Sequence, residues 1–171
     1  MTDDGIPAVA APQTVEVAST RSIELSQVAT RSEHDLLGNA DVPESAYWGI
    51  HTLRAVDNFP ITGVPVGHFP DFVRALVLVK QAAARANRRL GHLPAAKAEA
   101  IDRACDLIAK EGRYHNQFVV DAVQGGAGTS TNMNTNEVIA NVALELMGKK
   151  KGEYSALHPN DDINIDRKSV V

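Results

Sequence analysis

Residues Gln124 to Asn141 read QGGAGTSTNMNTNEVIAN. Gly125, Gly126 and Gly128 give the backbone freedom for sharp turns and for close approach to a ligand. Thr129, Ser130 and Thr131 place hydroxyls where a helix would begin, and Val138, Ile139, Val142 and Leu146 recur at the spacing of one helix face. A helix start offers unpaired N–H groups and the positive end of the macrodipole. A glycine loop feeding such a start suits a carboxylate or a phosphate. The same pattern also suits a plain helix N-terminus capped by Ser or Thr. The segment lacks the Lys-Ser/Thr ending of a P-loop and the G-x-G-x-x-G dinucleotide spacing. Asn132, Asn134, Asn136 and Asn141 are poor interior helix residues, which predicts a hydrogen-bonding need for their amides.

His115-Asn116-Gln117 and Phe118-Val119-Val120 lead into the loop. Upstream, Phe72 to Leu90 predicts a helix with Phe72, Leu76, Val79, Ala83, Ala86 and Leu90 on its buried face. Arg74, Gln81, Arg85 and Arg88 form its solvated face. Gly91 is a stop signal, and Pro94 opens a second helix that buries Ile101, Ala104, Cys105 and Ile108 and ends at Gly112. A short connection between the two predicts an antiparallel helix pair. Between Glu33 and Phe59 the punctuation is Gly38, Pro43 and Gly49. His34 to Gly38 reads as an extended segment ending in a turn, and Tyr47, Trp48, Ile50 and Leu53 are apolar anchors. His51 and Arg54 read as site candidates or as packing residues. Downstream, Lys149 to Lys151 predict a solvated turn, and Pro159 after His158 predicts a turn opening a helix. The acids beside His158 match no zinc or EF-hand spacing.

The 171 residues suffice for one domain with a core, and 44% hydrophobic with 22% charged residues is ordinary globular composition. A net charge of −4 gives no electrostatic case for nucleic acid. The single cysteine, Cys105, excludes an intrachain disulfide and suits a reducing, cytoplasmic setting. No apolar run reaches membrane-spanning length, and the N-terminus lacks the pattern of a secretory signal.

The series DLLG, VPESAYWGIHTLRAVDNF, NQF, GGAGTSTNMNTNEVIANVALELMG, KGEY and LHPNDDIN resembles the fumarase/aspartase superfamily in one register from Glu33 to Asn164. Ala127-Gly128-Thr129-Ser130 and HTLRAVDNF lean to its aspartase branch, whereas the doubled acid in HPNDD leans to fumarases. The resemblance implies a mainly α fold: the N-terminal domain of the aspartase/fumarase architecture, ending at the start of a central helix bundle. It implies a homotetramer and a reversible elimination of ammonia from L-aspartate, giving fumarate through an aci-carboxylate, with no cofactor and no metal. It assigns dicarboxylate contact to Thr129 with the neighbouring Gly128 and Ala127, and a second dicarboxylate site to His158, Asn160 and Asp161. After Asn164 the register is lost, and the family's hydroxyl pair and following Asn are not matched by Ile165 to Val171. The expected organisation is therefore a disordered tail over 1–32, an incomplete lyase domain over 33–164 and a divergent tail over 165–171. A truncated chain of this kind is expected to carry no catalytic residue of its own and to have little or no lyase activity. The alternatives are a class II fumarase-like fragment, a non-catalytic module docking on an intact lyase through the exposed apolar face of the loop helix, and a remnant without function.

Overall fold

A computed structural model of the chain describes residues 29–163 and residue 165. The predicted tail up to residue 28, and the divergent tail apart from Ile165, lie outside the described residues. The chain opens on an antiparallel hairpin, β1 (Thr30–Asp35) and β2 (Gly38–Pro43), with Thr30 opposite Pro43 and Asp35 opposite Gly38. The predicted tail thus reaches three residues too far, because Thr30 to Ser32 belong to β1. The buried anchor there is a charge network that residue-type statistics do not reveal. The connecting turn is local: the Asp35 carboxylate accepts the Leu37 N–H at 2.9 Å, and Gly38 takes a φ of 107°.

Four helices follow: α1 (Ile50–Asn58), α2 (Pro70–Arg89), α3 (Ala95–Ala109) and α4 (Thr129–Leu146). Two short 3₁₀ turns, Val66–His68 and His115–Gln117, and a helical turn at Pro159–Ile163 complete the order. The fold is mainly α with one small hairpin, as the resemblance implies. Pro70 occupies the first turn of α2, Asp71 sits at its positive end and Arg88 and Arg89 at its negative end. Helices α2 and α3 form the expected antiparallel pair. Gln81 donates to Asp106 at 2.7 Å, Arg85 binds Asp102, and Arg88 binds Glu99 at 2.8 Å. Ile101, Ala104, Cys105 and Ile108 are wholly buried, as the sequence predicts. Burial pushes the Cys105 thiol well up, so it is a core filler and not a nucleophile.

The buried face of α2 is not the predicted one. Val73, Val77, Lys80, Gln81, Ala84 and Asn87 face the core, while Phe72, Val79 and Leu90 are exposed. The helix carries two apolar stripes, and the partner helix α3 selects the one that lets Gln81 and Arg85 reach its acids.

Helix α4 is buried on nearly every side, from Met133 to Leu144. The expectation of an exposed apolar face on this helix is therefore wrong: Val138, Ile139 and Val142 lie in the core, and only the two ends of the helix emerge, with Thr129 exposed at the start and Leu146 at the end. A helix surrounded by the domain needs polar fasteners, and its amides provide them. Asn134 donates to the Gln117 carbonyl at 3.0 Å. Asn141 donates to the Tyr47 carbonyl at 2.8 Å and the Tyr154 hydroxyl at 3.1 Å, and accepts the Gly152 N–H at 2.8 Å.

Glu137, also on α4, accepts N–H bonds from Gly49 at 2.8 Å, His51 at 3.0 Å and Thr52 at 3.1 Å. It caps α1 from outside, since no local side chain does so. Glu33 of β1 accepts the Ile50 N–H at 2.8 Å and pairs with Arg31 at 2.8 Å. Gly49 is required there, because a Cβ would lie 2.6 Å from both Glu33 Oε2 and the Tyr154 hydroxyl. Lys151 also departs from the sequence reading. Its side chain is mostly covered and its ammonium sits 4.5 Å from the centre of the Tyr47 ring, a cation–π contact, while Lys149 and Lys150 stay exposed.

Candidate dicarboxylate-binding loop

The glycine loop emerges from a two-stranded crossing. Val66 N–H donates to Val120, Gly67 N–H to Phe118 and Ala122 N–H to Val64, each at 2.8 Å. Past Val123 the chain turns through Gly126, at φ 73°, and Gly128, at φ 77°, and enters α4 at Thr129. Gly128 is the N-cap, and no side chain caps the helix. The Ser/Thr-capped reading of this segment is thereby corrected. The first bond into the helix is donated by Asn132 to the Gly128 carbonyl at 3.0 Å. The N–H groups of Thr129, Ser130 and Thr131 consequently have no intrahelical acceptor and point out of the positive end of a helix of 18 residues.

Residues Gly125 to Thr129 are exposed, and Thr131 is buried at the floor. Ala127, Gly128, Thr131 and Asn132 line a cleft of about 480 Å³ whose other wall is Phe72, Leu76, Ala122 and Gln124. Of the predicted contact residues, Ala127 and Gly128 line this cleft, while Thr129 is exposed beside it at the helix start and does not line it. Chemically this helix start offers backbone donors and hydroxyls to an anion, beside an apolar wall suited to a short carbon chain. None of the eight lining side chains can take up or release a proton near neutral pH.

The second predicted site forms a separate turn. His158 Nδ1 accepts the N–H groups of Asn160 at 3.1 Å and Asp161 at 3.3 Å. Asp162, the second of the two acids after His158 and not one of the predicted dicarboxylate contacts, holds this turn to α3. It accepts the His158 N–H at 2.7 Å and both contacts from Lys97, at 3.0 and 2.8 Å. His158 and Asn160 are thus occupied in shaping the turn, and Asn160 and Asp161 are exposed. Among the described residues no group of three or more His, Cys, Asp or Glu is placed to hold a metal ion, and no helix is long and apolar enough to cross a membrane.

Arg54, a site candidate by sequence, binds Asp35 through two contacts of 2.7 and 2.9 Å and the Gly38 carbonyl at 3.2 Å. The Arg54 guanidinium holds the Asp35 carboxyl below the usual range. Its place is the hairpin, not the loop. Asp121, which no sequence spacing marks, stands at the root of the loop. Its carboxylate accepts Thr62 N–H at 2.6 Å, Thr62 Oγ1–H at 2.7 Å, Gly63 N–H at 2.8 Å and Val123 N–H at 2.8 Å. Burial would raise its pKa, but the bonds from Val123, Thr62 and Gly63 outweigh that and hold it at about 2.

A mainly helical domain with a glycine loop feeding a buried, amide-fastened helix defines the class, and a lyase family model matches residues 38–169. The chain belongs to this lyase family, within the fumarase/aspartase superfamily. It is similar to aspartate ammonia-lyase of Pseudomonas aeruginosa, 62% identical over 142 residues, covering 82% of this chain and 30% of the relative. The aspartate ammonia-lyase of Corynebacterium glutamicum is 61% identical over 137 residues, 80% of this chain and 26% of that protein. Among solved structures, fumarate lyase:delta crystallin from Brucella melitensis in native form superposes with a TM-score of 0.78 at 56% identity, covering 80% of this chain and 32% of that one. Class II fumarase from Schistosoma mansoni gives a TM-score of 0.73 at 34% identity, over 80% of this chain and 28% of that one. The chain thus spans roughly a third or less of the length of these relatives.

Proposed function

We propose that this chain supplies the dicarboxylate grip of an aspartate ammonia-lyase, the enzyme class that eliminates ammonia from L-aspartate to give fumarate. The observation that carries the reading is the uncapped, exposed start of α4 at Thr129, in a chain 62% identical over 142 residues to an aspartate ammonia-lyase. The N–H groups of Thr129 and Ser130 and the Thr129 hydroxyl would donate to one carboxylate, where charge builds up once the neighbouring carbon loses its proton. Such donors serve best when fixed beforehand, and a helix buried over most of its length fixes them.

Removing that proton needs a base, and the cleft lining offers none. The proposal therefore assigns this chain binding and charge stabilisation, and little or no turnover by itself. The exposed stripe Phe72, Val79 and Leu90 supports an assembly in which further protein covers α2, in keeping with the homo-oligomer the resemblance implies. Identity of 62% to an aspartase against 34% to a class II fumarase favours the aspartase branch.

The test is calorimetric titration of the chain with succinate, an unreactive diacid, alongside ultraviolet detection of fumarate from L-aspartate. Saturable succinate binding that falls at least about tenfold in Thr129→Val, with no fumarate formed, is the expected result; tenfold corresponds to about 1.4 kcal/mol, within the range of a hydrogen bond to a charged group. Succinate binding indifferent to Thr129→Val, or fumarate formation by the chain alone, would overturn it.

A further inference from the structure

The glycine loop is not held by its own residues. Among the described residues, the fixed points at its entry belong to the segment Phe59 to Gly63, more than fifty positions earlier in the chain. Two independent contacts make the connection. Asp121 accepts the Thr62 and Gly63 N–H groups on Oδ2 and the Thr62 hydroxyl and Val123 N–H on Oδ1, so it joins that segment to the first residue of the loop arm. Its own carbonyl then accepts Gln124 Nε2–H at 2.7 Å, which orients the side chain that walls the cleft. One residue further on, the Phe59 ring lies against Gly125 so closely that a Cβ on Gly125 would be 2.7 Å from the ring. Asp121 is 7% exposed and Phe59 is half-buried, so neither reaches the cleft as a ligand.

From these contacts we infer that Asp121 is a positioning residue for the dicarboxylate grip, acting with Phe59 through the conformation of Gly125 to Thr129. The inference rests on the binding reading above but is separable from it. An acceptor of four hydrogen bonds at the loop's root limits the loop to one path. Donors on a single path are pre-organised for a carboxylate, whereas donors on a mobile loop must be ordered when the ligand arrives, at a cost in affinity. Gly125, lacking a Cβ, lets the ring approach this closely.

The experiment uses the whole chain and three variants, Asp121→Asn, Phe59→Leu and Thr62→Val. Asn keeps one acceptor oxygen but turns an amide N–H₂ towards backbone donors. Two quantities are read in each: the succinate dissociation constant, and the NMR backbone order parameters of the 125–131 amides relative to the α3 amides of residues 101–108. Asp121→Asn is expected to weaken succinate at least about tenfold and to lower the order parameters at 125–131 from about 0.85 towards about 0.6, with the α3 amides unchanged. Phe59→Leu should do the same to a smaller extent. Unchanged loop order parameters in Asp121→Asn, or order parameters that fall equally in α3, would overturn the inference, the latter because it marks general loosening. If the wild-type chain does not bind succinate, the binding reading fails while the order-parameter comparison still decides whether Asp121 fixes the loop. Should Asp121→Asn not fold, Thr62→Val, which deletes only the hydroxyl donor to Asp121, carries the same comparison.

Discussion

Replacing Glu137 by Ala tests the account of how α4 organises the domain. The carboxylate is 1% exposed and accepts three N–H bonds at the start of α1. Gly49 and Thr52 are buried and His51 is half-buried, so two of the three donors would lose their partner away from water. An unsatisfied buried donor costs about 1–3 kcal/mol. Part of that is offset because the variant no longer buries a charge. The net expectation is a loss of about 3 kcal/mol, or a fall in Tm of roughly 6–12 °C for a domain of this size. Glu137→Gln keeps one acceptor oxygen and should cost about 1 kcal/mol. The pH dependence separates the two states of the carboxyl. Burial raises the Glu137 pKa above its ordinary value, against the lowering effect of the Thr52 and Gly49 bonds and of His51. A raised carboxyl pKa favours folding fully below the unfolded value, about 4.3, and that contribution is lost as pH rises through the folded value. Wild type should therefore lose stability relative to Glu137→Gln as pH rises above about 4.3. Urea denaturation followed by circular dichroism from pH 4 to pH 8 measures both effects. A Glu137→Ala variant within about 0.5 kcal/mol of wild type would show that Glu137 does not hold the start of α1, since surface changes alone have that size.

The corrected face of α2 predicts that Val77→Ala costs about 2 kcal/mol in urea denaturation, while Val79→Ala stays within about 0.5 kcal/mol. Asn141→Ala removes partners from the Tyr47 carbonyl, the Tyr154 hydroxyl and the Gly152 N–H, and thermal melting should show a loss of about 2 kcal/mol. Asp121, held at about 2, contributes stability that is complete above the unfolded value near 3.9 and is lost as pH falls towards 2. Acid titration of Asp121→Asn should lack that loss.

The helices α2 and α3 were legible because their stop and start signals, Gly91, Pro94 and Gly112, are local. Which stripe of α2 faces inward was not, because Val73 and Val77 alternate with Phe72, Leu76 and Val79, and only the acids on α3 decide between the two sets. The hairpin and α1 were hidden for a related reason. Their stability comes from Glu33, Arg31 and Glu137, charged residues that sequence reasoning assigns to solvent, brought together from positions about a hundred residues apart. Of the asparagines of α4 read as hydrogen-bonding residues, Asn134 and Asn141 bond to the domain itself, whereas the Asn136 Oδ1 is buried without a partner among the described residues. Of the loop, Gly128 and Thr129 stand where the sequence placed them, at the helix entrance. Asp121 and Phe59 escaped notice because their effect depends on a contact with Thr62 and Gly125 that no spacing encodes.

Amide-resolved NMR titration of the chain with succinate follows the start of α4 as the diacid grip. Saturable shifts are expected on the N–H groups of Gly128 to Thr131, with the half-saturating succinate concentration raised at least about tenfold in Thr129→Val, which keeps the backbone donors and loses one hydroxyl. Shifts spread over the surface arginines of α2, or none at the helix entrance at saturating succinate, would mean that the diacid is held elsewhere.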